Sequence, residues 1–152
     1  MTKSIFYPKL QLNNIMILFF IFLLLISPAK AENYYIEKVI RVTDGDTFVI
    51  DTSEKSSILR ELGLSVRILG IDTPEKKGKC QKEKDLALKA TELTKKLIEN
   101  KIIKLTDIKW DKYGGRINAK VFINGLNVGD ELIKRNLAVS YFGEKKNKNW
   151  CK

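Results

Sequence analysis

Along this chain the spacing of apolar residues changes character several times, and each change marks an element. Residues 34–42 (YYIEKVIRV) are aromatic and β-branched with partial alternation, which predicts a strand. Residues 43–46 (TDGD) predict a turn in which Gly45 supplies the unusual dihedrals, and Thr47–Ile50 resumes as a second strand to make a hairpin. A polar loop follows over 53–57, then a third strand over 64–69 and a basic, Gly-containing loop over 76–79. From 81 to 100 the period lengthens. Leu86, Ala87, Ala90, Leu93, Leu97 and Ile98 fall on one stripe opposite lysines and glutamates, which predicts a helix stopped at Asn100.

Alternation returns over 101–108, the fourth strand, and over Arg116–Ile123, the fifth, with a WDKYGG turn at 110–115 between them. Asn124-Gly125 signals another turn, 128–135 a short helix and 137–142 an apolar segment. The Lys/Asn-rich stretch 144–152 would be disordered but for Trp150 and Cys151. Three strands, a helix, two strands and a short helix predict a mainly β, α+β fold: a five-stranded oligonucleotide-binding (OB) barrel with flanking helices. A sandwich accommodates the mid-chain helix poorly.

The first 31 residues stand apart. Residues 15–26 are wholly Ile, Leu, Phe and Met, preceded by Lys3 and Lys9 and followed by Ala29-Lys30-Ala31. A basic start, an apolar run too short for a comfortable membrane span and a small-x-small site read as a signal peptide over 1–31, leaving one domain over 32–152. An uncleaved membrane anchor is the competing reading. Export would place the domain in the periplasm or outside the cell.

Export also gives the cysteines meaning. Cys80 and Cys151 are the only two, and an oxidising compartment permits a bridge between them, with two free thiols as the alternative. The formal net charge is +10; the leader carries three lysines and no acid, so +7 remains for the domain. That excess suits a polyanionic partner. The sequence contains no histidine, which excludes Ser-His and Cys-His nucleophiles, His-ligated zinc and any His base. Chemistry must come from carboxylates, Arg, Lys, Tyr and a hard metal.

The stretch VRILGIDTPE, residues 66–75, concentrates such groups. It carries Arg67, Asp72 and Glu75 around a corner stiffened by Pro74, which also restrains Thr73. Asp46 ends the first hairpin turn; on neighbouring strands of a barrel, Asp46 and Asp72 can meet at one rim. With the Thr73 carbonyl they make an all-oxygen site for a hard cation, calcium by preference and magnesium as the alternative. Arg67 and Arg116 make a clamp for a phosphodiester, and Glu75 is the nearby carboxylate left to take or orient a water proton. Crowded by cations, Glu75 would be a weak base, so orienting water weighs as much as deprotonating it. Singly each piece has an ordinary explanation, a turn or a rim salt bridge; the combination is what is specific.

In order, DGDT (44–47), VRILGIDTPE (66–75), DKYGGR (111–116) and NGLNVGDELIKRNLA (124–138) closely resemble the staphylococcal nuclease, or thermonuclease, family, over nearly all of 34–142. The resemblance implies an OB barrel and a calcium-dependent nuclease acting on DNA and RNA as a monomer. By motif, Asp46, Asp72 and Thr73 match the calcium ligands, Arg67 and Arg116 the phosphate-binding arginines, and Glu75 the proposed base. Asp44 matches an acid behind the metal ligands, and Tyr113 and Tyr141 match nucleotide-contacting tyrosines. Two departures stand out. Gly115 separates the Tyr-Gly pair from Arg116, which a bulge would compensate. The long terminal helix of the best-known member is absent, and a Cys80–Cys151 bridge would take its place.

The reading is therefore an exported, metal-dependent phosphodiesterase of the nuclease type. Its rivals are a non-catalytic OB nucleic-acid-binding protein, which would not need the acidic cluster, and a membrane-tethered interaction protein.

Overall fold

The extended run that begins at Tyr34 serves two edges of one sheet. The computed structural model describes residues 33–51, 64–112 and 114–152, which lie in a single compact unit, Ala31–Lys152. The expected signal peptide over 1–31, the loop over 53–57 and Tyr113 lie outside the described residues. Where the pattern over 34–42 predicts one strand, the chain forms two, β1 (Tyr34–Ile36) and β2 (Val39–Asp44). Only Glu37 and Lys38 separate them.

The remaining strands are β3 (Thr47–Ile50), β4 (Leu64–Ile68), β5 (Ile71–Asp72), β6 (Ile103–Trp110), β7 (Arg116–Ile123), β8 (Leu126–Asn127) and β9 (Val139–Ser140). The main sheet runs β1-β6-β7-β4-β3-β2, with β8 added to β7. Because β1 and β2 are consecutive in the chain yet occupy opposite ends of that path, the sheet must curl until its edges approach. Counting β1 and β2 as halves of one bent strand gives the five-stranded OB-like barrel with two helices. The β4–β7 pairing is parallel, with Arg67 opposite Asn118.

Alternation explains the core. In β7, Ile117, Ala119, Val121 and Ile123 point inward, facing Phe48 and Ile50 of β3, Val66 and Ile68 of β4, and Ile103 and Leu105 of β6. The fourth strand runs two residues beyond its expected end. It also starts two residues late, so it is shifted rather than lengthened; a register shift lies between Thr106 and Lys109, around Asp107 with φ of 53°, and the turn starts at Asp111.

Helix α1 (Gln81–Ile98) is capped by Cys80, whose sulfur accepts from the Glu83 N–H at 3.4 Å. Asn100 stops it in the left-handed region, with φ of 56°. Ala87, Ala90 and Ile98 are buried and Leu93 and Leu97 pack partly against the core, but Leu86 is only half-buried. Glu83 and Thr94 take buried places on that face instead. Helix α2 (Val128–Lys134) is capped by Asn127, whose Oδ1 accepts from the Gly129 N–H at 2.9 Å.

The apolar segment 137–142 holds a second surprise. Its strand β9 pairs antiparallel with β5, setting Val139 opposite Asp72. The far end of the chain is ordered too. Trp150 is buried, and Cys151 is joined to Cys80 across 71 residues.

Candidate active site

At Gly45 the barrel comes close against helix α1. Its φ is not in the left-handed region, contrary to the sequence expectation. It is required for space: a Cβ there would lie 2.6 Å from the Ala90 Cβ and 3.1 Å from the Thr73 Cβ. The buried Thr94 hydroxyl donates to the Gly45 carbonyl at 2.6 Å. The Asp46 carbonyl accepts from the Ile68 N–H at 2.8 Å, which ties the turn to β4. Asp46 is thus placed by main-chain and helix contacts, independently of any ligand.

Arg67 reaches it from β4. Its Nη2 lies 3.0 Å from Asp46 Oδ2 and 3.5 Å from Asp72 Oδ1, and its Nη1 donates to the Ile71 carbonyl at 3.0 Å. Both aspartates are buried, as is Thr73. Burial pushes the Asp46 carboxyl above the usual carboxylate range, against the downward pull of Arg67 and of the Thr47 hydroxyl, which donates to Asp46 Oδ1 at 2.8 Å. Its charge is under-compensated by the groups around it. The expected convergence of Asp46, Arg67 and Asp72 is present, with Arg67 between the acids.

Asp46, Arg67 and Thr73 open onto a cleft of about 940 Å³ that also takes in Glu75, Arg116 and Tyr141. Glu75 stands exposed at its margin. Tyr141 donates its N–H to the Gly70 carbonyl at 2.9 Å, and its ring centre is 5.8 Å from the Arg67 guanidinium carbon. Asp44 lines the same cleft 3.7 Å from the Lys76 amine.

Arg116 reaches the cleft after a turn in which Gly114 and Gly115 have φ of 73° and 72°. Two successive left-handed residues absorb the extra glycine. The Arg116 Nε lies 2.9 Å from Asp111 Oδ2, which Asn118 also approaches at 3.3 Å. Lys109, Lys112 and Lys120 continue the lining beyond it.

Sequence reasoning missed Asp111 as the partner of Arg116, and it missed Lys146. The Lys146 amine lies 2.7 Å from Asp72 Oδ1 and 3.1 Å from Glu75 Oε1. Burial works against its charge, but the bonds to Asp72 and Glu75 outweigh that and raise its pKa. One signal for it existed: Cys151, five residues on, ties that stretch back to Cys80.

The staphylococcal nuclease homologue family profile matches residues 65–151, more than half of the chain. The chain belongs to that family. The thermonuclease of Staphylococcus hyicus is 31% identical over 119 residues, covering 77% of this chain and 64% of that protein. A protein of Escherichia coli O157:H7 described as an uncharacterized endonuclease is 29% identical over 104 residues, covering 68% of this chain and 60% of its own length. The chain thus spans about three-fifths of the length of the curated relatives it matches.

The donors present suit a hard cation. Asp46 and Asp72 offer buried carboxylates and Thr73 a main-chain carbonyl beside them, all oxygen, in a chain without histidine. Among the described residues a second group of potential ligands, Cys80, Glu83 and Cys151, brings three such side chains together, but both its sulfurs are committed to the disulfide.

Proposed function

We propose that the chain is an exported, calcium-dependent nuclease that hydrolyses phosphodiester bonds in DNA and RNA as a monomer. The observation that carries this reading is Arg67 shared between two buried carboxylates at the mouth of a cleft that also holds Glu75 and Arg116. A purely nucleic-acid-binding barrel has no use for buried acids, which repel phosphate.

Asp46, Asp72 and the Thr73 carbonyl would hold the ion; irregular carboxylate-plus-carbonyl sets suit calcium better than magnesium. Bound there, calcium would polarise a phosphate oxygen and acidify a water molecule. The chain's own groups do the rest. Arg67 and Arg116 bind the phosphate and counter the charge that grows on its oxygens as water adds to phosphorus and the ester P–O bond breaks. Glu75, at the accessible margin, orients that water and takes its proton. Asp111 holds Arg116 by Nε, and Asp44 supports the Asp46 turn. Tyr141 and Tyr113 contact the nucleotide, and the lysines beyond Arg116 steer the polyanion.

The test is cleavage of labelled single-stranded DNA and RNA by the purified protein, with calcium and with excess chelator. Calcium-dependent cleavage is expected, reduced about 10²- to 10³-fold in Arg67→Ala and Glu75→Gln. Intact nucleic acid held in a salt-sensitive complex overturns the nuclease in favour of a binding barrel. Export is tested by N-terminal sequencing of the protein recovered outside the cytoplasm. A start near Glu32 is expected; a full-length chain retained in the membrane overturns it.

A further inference from the structure

The stretch after β9 adds no strand to the barrel, yet it is pinned at both ends. On one side Val139–Ser140 pairs with β5, and Tyr141 bonds to Gly70. On the other side Cys151 is joined to Cys80 at the head of α1, Trp150 is buried, and the Lys82 amine donates to the Lys152 carbonyl. The residues between form an exposed strap. From its middle Lys146 reaches back to Asp72 and Glu75.

Asp72 Oδ1 therefore faces two cations, Lys146 at 2.7 Å and Arg67 at 3.5 Å. An ion that takes Asp72 as ligand cannot share that oxygen with an ammonium at contact distance, because like charges so close repel strongly. One of the two must leave. Arg67 is forked onto Asp46, Asp72 and the Ile71 carbonyl and is mostly buried, whereas Lys146 is a point charge on a flexible stem, its side chain 49% exposed.

We propose that Lys146 is a built-in counter-ion for Asp72 and Glu75, kept within reach by the Cys80–Cys151 bridge, and that a divalent cation must displace it to bind. This rests on the reading that such an ion binds at Asp46 and Asp72. The displaced ammonium also frees Glu75, so ion entry and release of the water-orienting carboxylate become one event. Tethering matters through effective concentration: a strap pinned at both ends keeps the amine beside Asp72, and a tail held at one end does not. The bridge therefore weakens divalent-ion binding.

Calorimetric titration of the purified protein with calcium, at fixed salt and without substrate, tests this. Lys146→Met keeps the stem and removes the charge. Lys145→Met makes the same net-charge change on the exposed neighbour, and Asp72→Asn removes the ligand. Lys146→Met is expected to bind calcium about fivefold more tightly than wild type, the size expected of a half-exposed pair. Lys145→Met should stay near wild type, and Asp72→Asn should lose binding. Reduction of the bridge should tighten binding in wild type but add little in Lys146→Met. If calcium binds through Asp72 and Lys146→Met is no tighter than Lys145→Met, the counter-ion is overturned while the metal reading stands. An equal gain on reduction in both backgrounds overturns the tether. If neither wild type nor Lys146→Met binds calcium, or if Asp72→Asn binds it as wild type does, the metal reading itself fails and takes the counter-ion with it.

Discussion

A single nitrogen of Arg67, Nη2, lies 3.0 Å from Asp46 Oδ2 and 3.5 Å from Asp72 Oδ1, so one guanidinium links two carboxylates from distant parts of the chain. Removing it takes from the buried Asp46 carboxylate the guanidinium beside it and leaves Asp72 to Lys146. Arg67→Ala should lose about 3 kcal/mol of stability without metal, measured by urea unfolding, and recover part of that with calcium. Arg67→Lys should fall short on both counts, because an ammonium cannot fork onto both aspartates and the Ile71 carbonyl.

Asp46 predicts a pH dependence. Its folded-state pKa is raised, chiefly by burial, so the folded protein binds a proton that the unfolded chain has already given up. Stability contributed here is present below the unfolded value of 3.8 and is lost as pH rises through the folded value. Asp46→Asn is free of that loss. In metal-free urea melts its stability relative to wild type should be higher at pH 7 than at pH 3, even as calcium binding disappears. A wild-type advantage that instead grows with pH would show that Arg67 compensates the charge fully.

The approach of α1 to the Asp46 turn predicts a distant effect on cleavage. Gly45→Ala drives a Cβ to 2.6 Å from Ala90 and should cost about 1–3 kcal/mol. It should also lower cleavage by displacing Asp46. Ala90→Gly in the same chain should return part of the cleavage rate despite weakening the helix. Thr94→Val leaves the Gly45 carbonyl without its 2.6 Å partner and should cost about 1–2 kcal/mol in thermal or urea unfolding.

The bridge closes a span of 71 residues. Replacing both cysteines by serine should cost about 4 kcal/mol on loop-entropy grounds. Tryptophan emission reports it directly. Trp110 is already 69% exposed, while Trp150 is 8% exposed, so a red shift on reduction marks release of the strap.

Much of this was legible in the chain. The period-2 pattern of Arg116–Ile123 gives that strand residue for residue, because one face is core and the other solvent. Asp46, Arg67 and Asp72 could be grouped because strand adjacency in a barrel leaves few rims for them to share. What escaped was local or tertiary. Strands β5 and β9 have two residues each, too few to show a period. The break at Glu37-Lys38 depends on which edge each half finds. Gly45 reads as a turn glycine, and only the packed helix shows that it is there for room. Lys146 lies in a lysine-rich run whose members look alike until a disulfide and a strand pair fix which one faces Asp72.

The bent first strand has a consequence for how the chain can be made. Among the described residues β1 pairs with β6 alone, which begins at Ile103, and β4 finds its parallel partner in β7, which begins at Arg116. Cys80 waits for Cys151, 71 residues on. Nearly every contact that closes the barrel spans a large part of the sequence, the kind of pairing that forms late and slowly. A chain that has emerged only as far as helix α1 thus lacks β6 and β7, the partners that close the barrel. Wherever it emerges, the barrel closes only once β7 has followed.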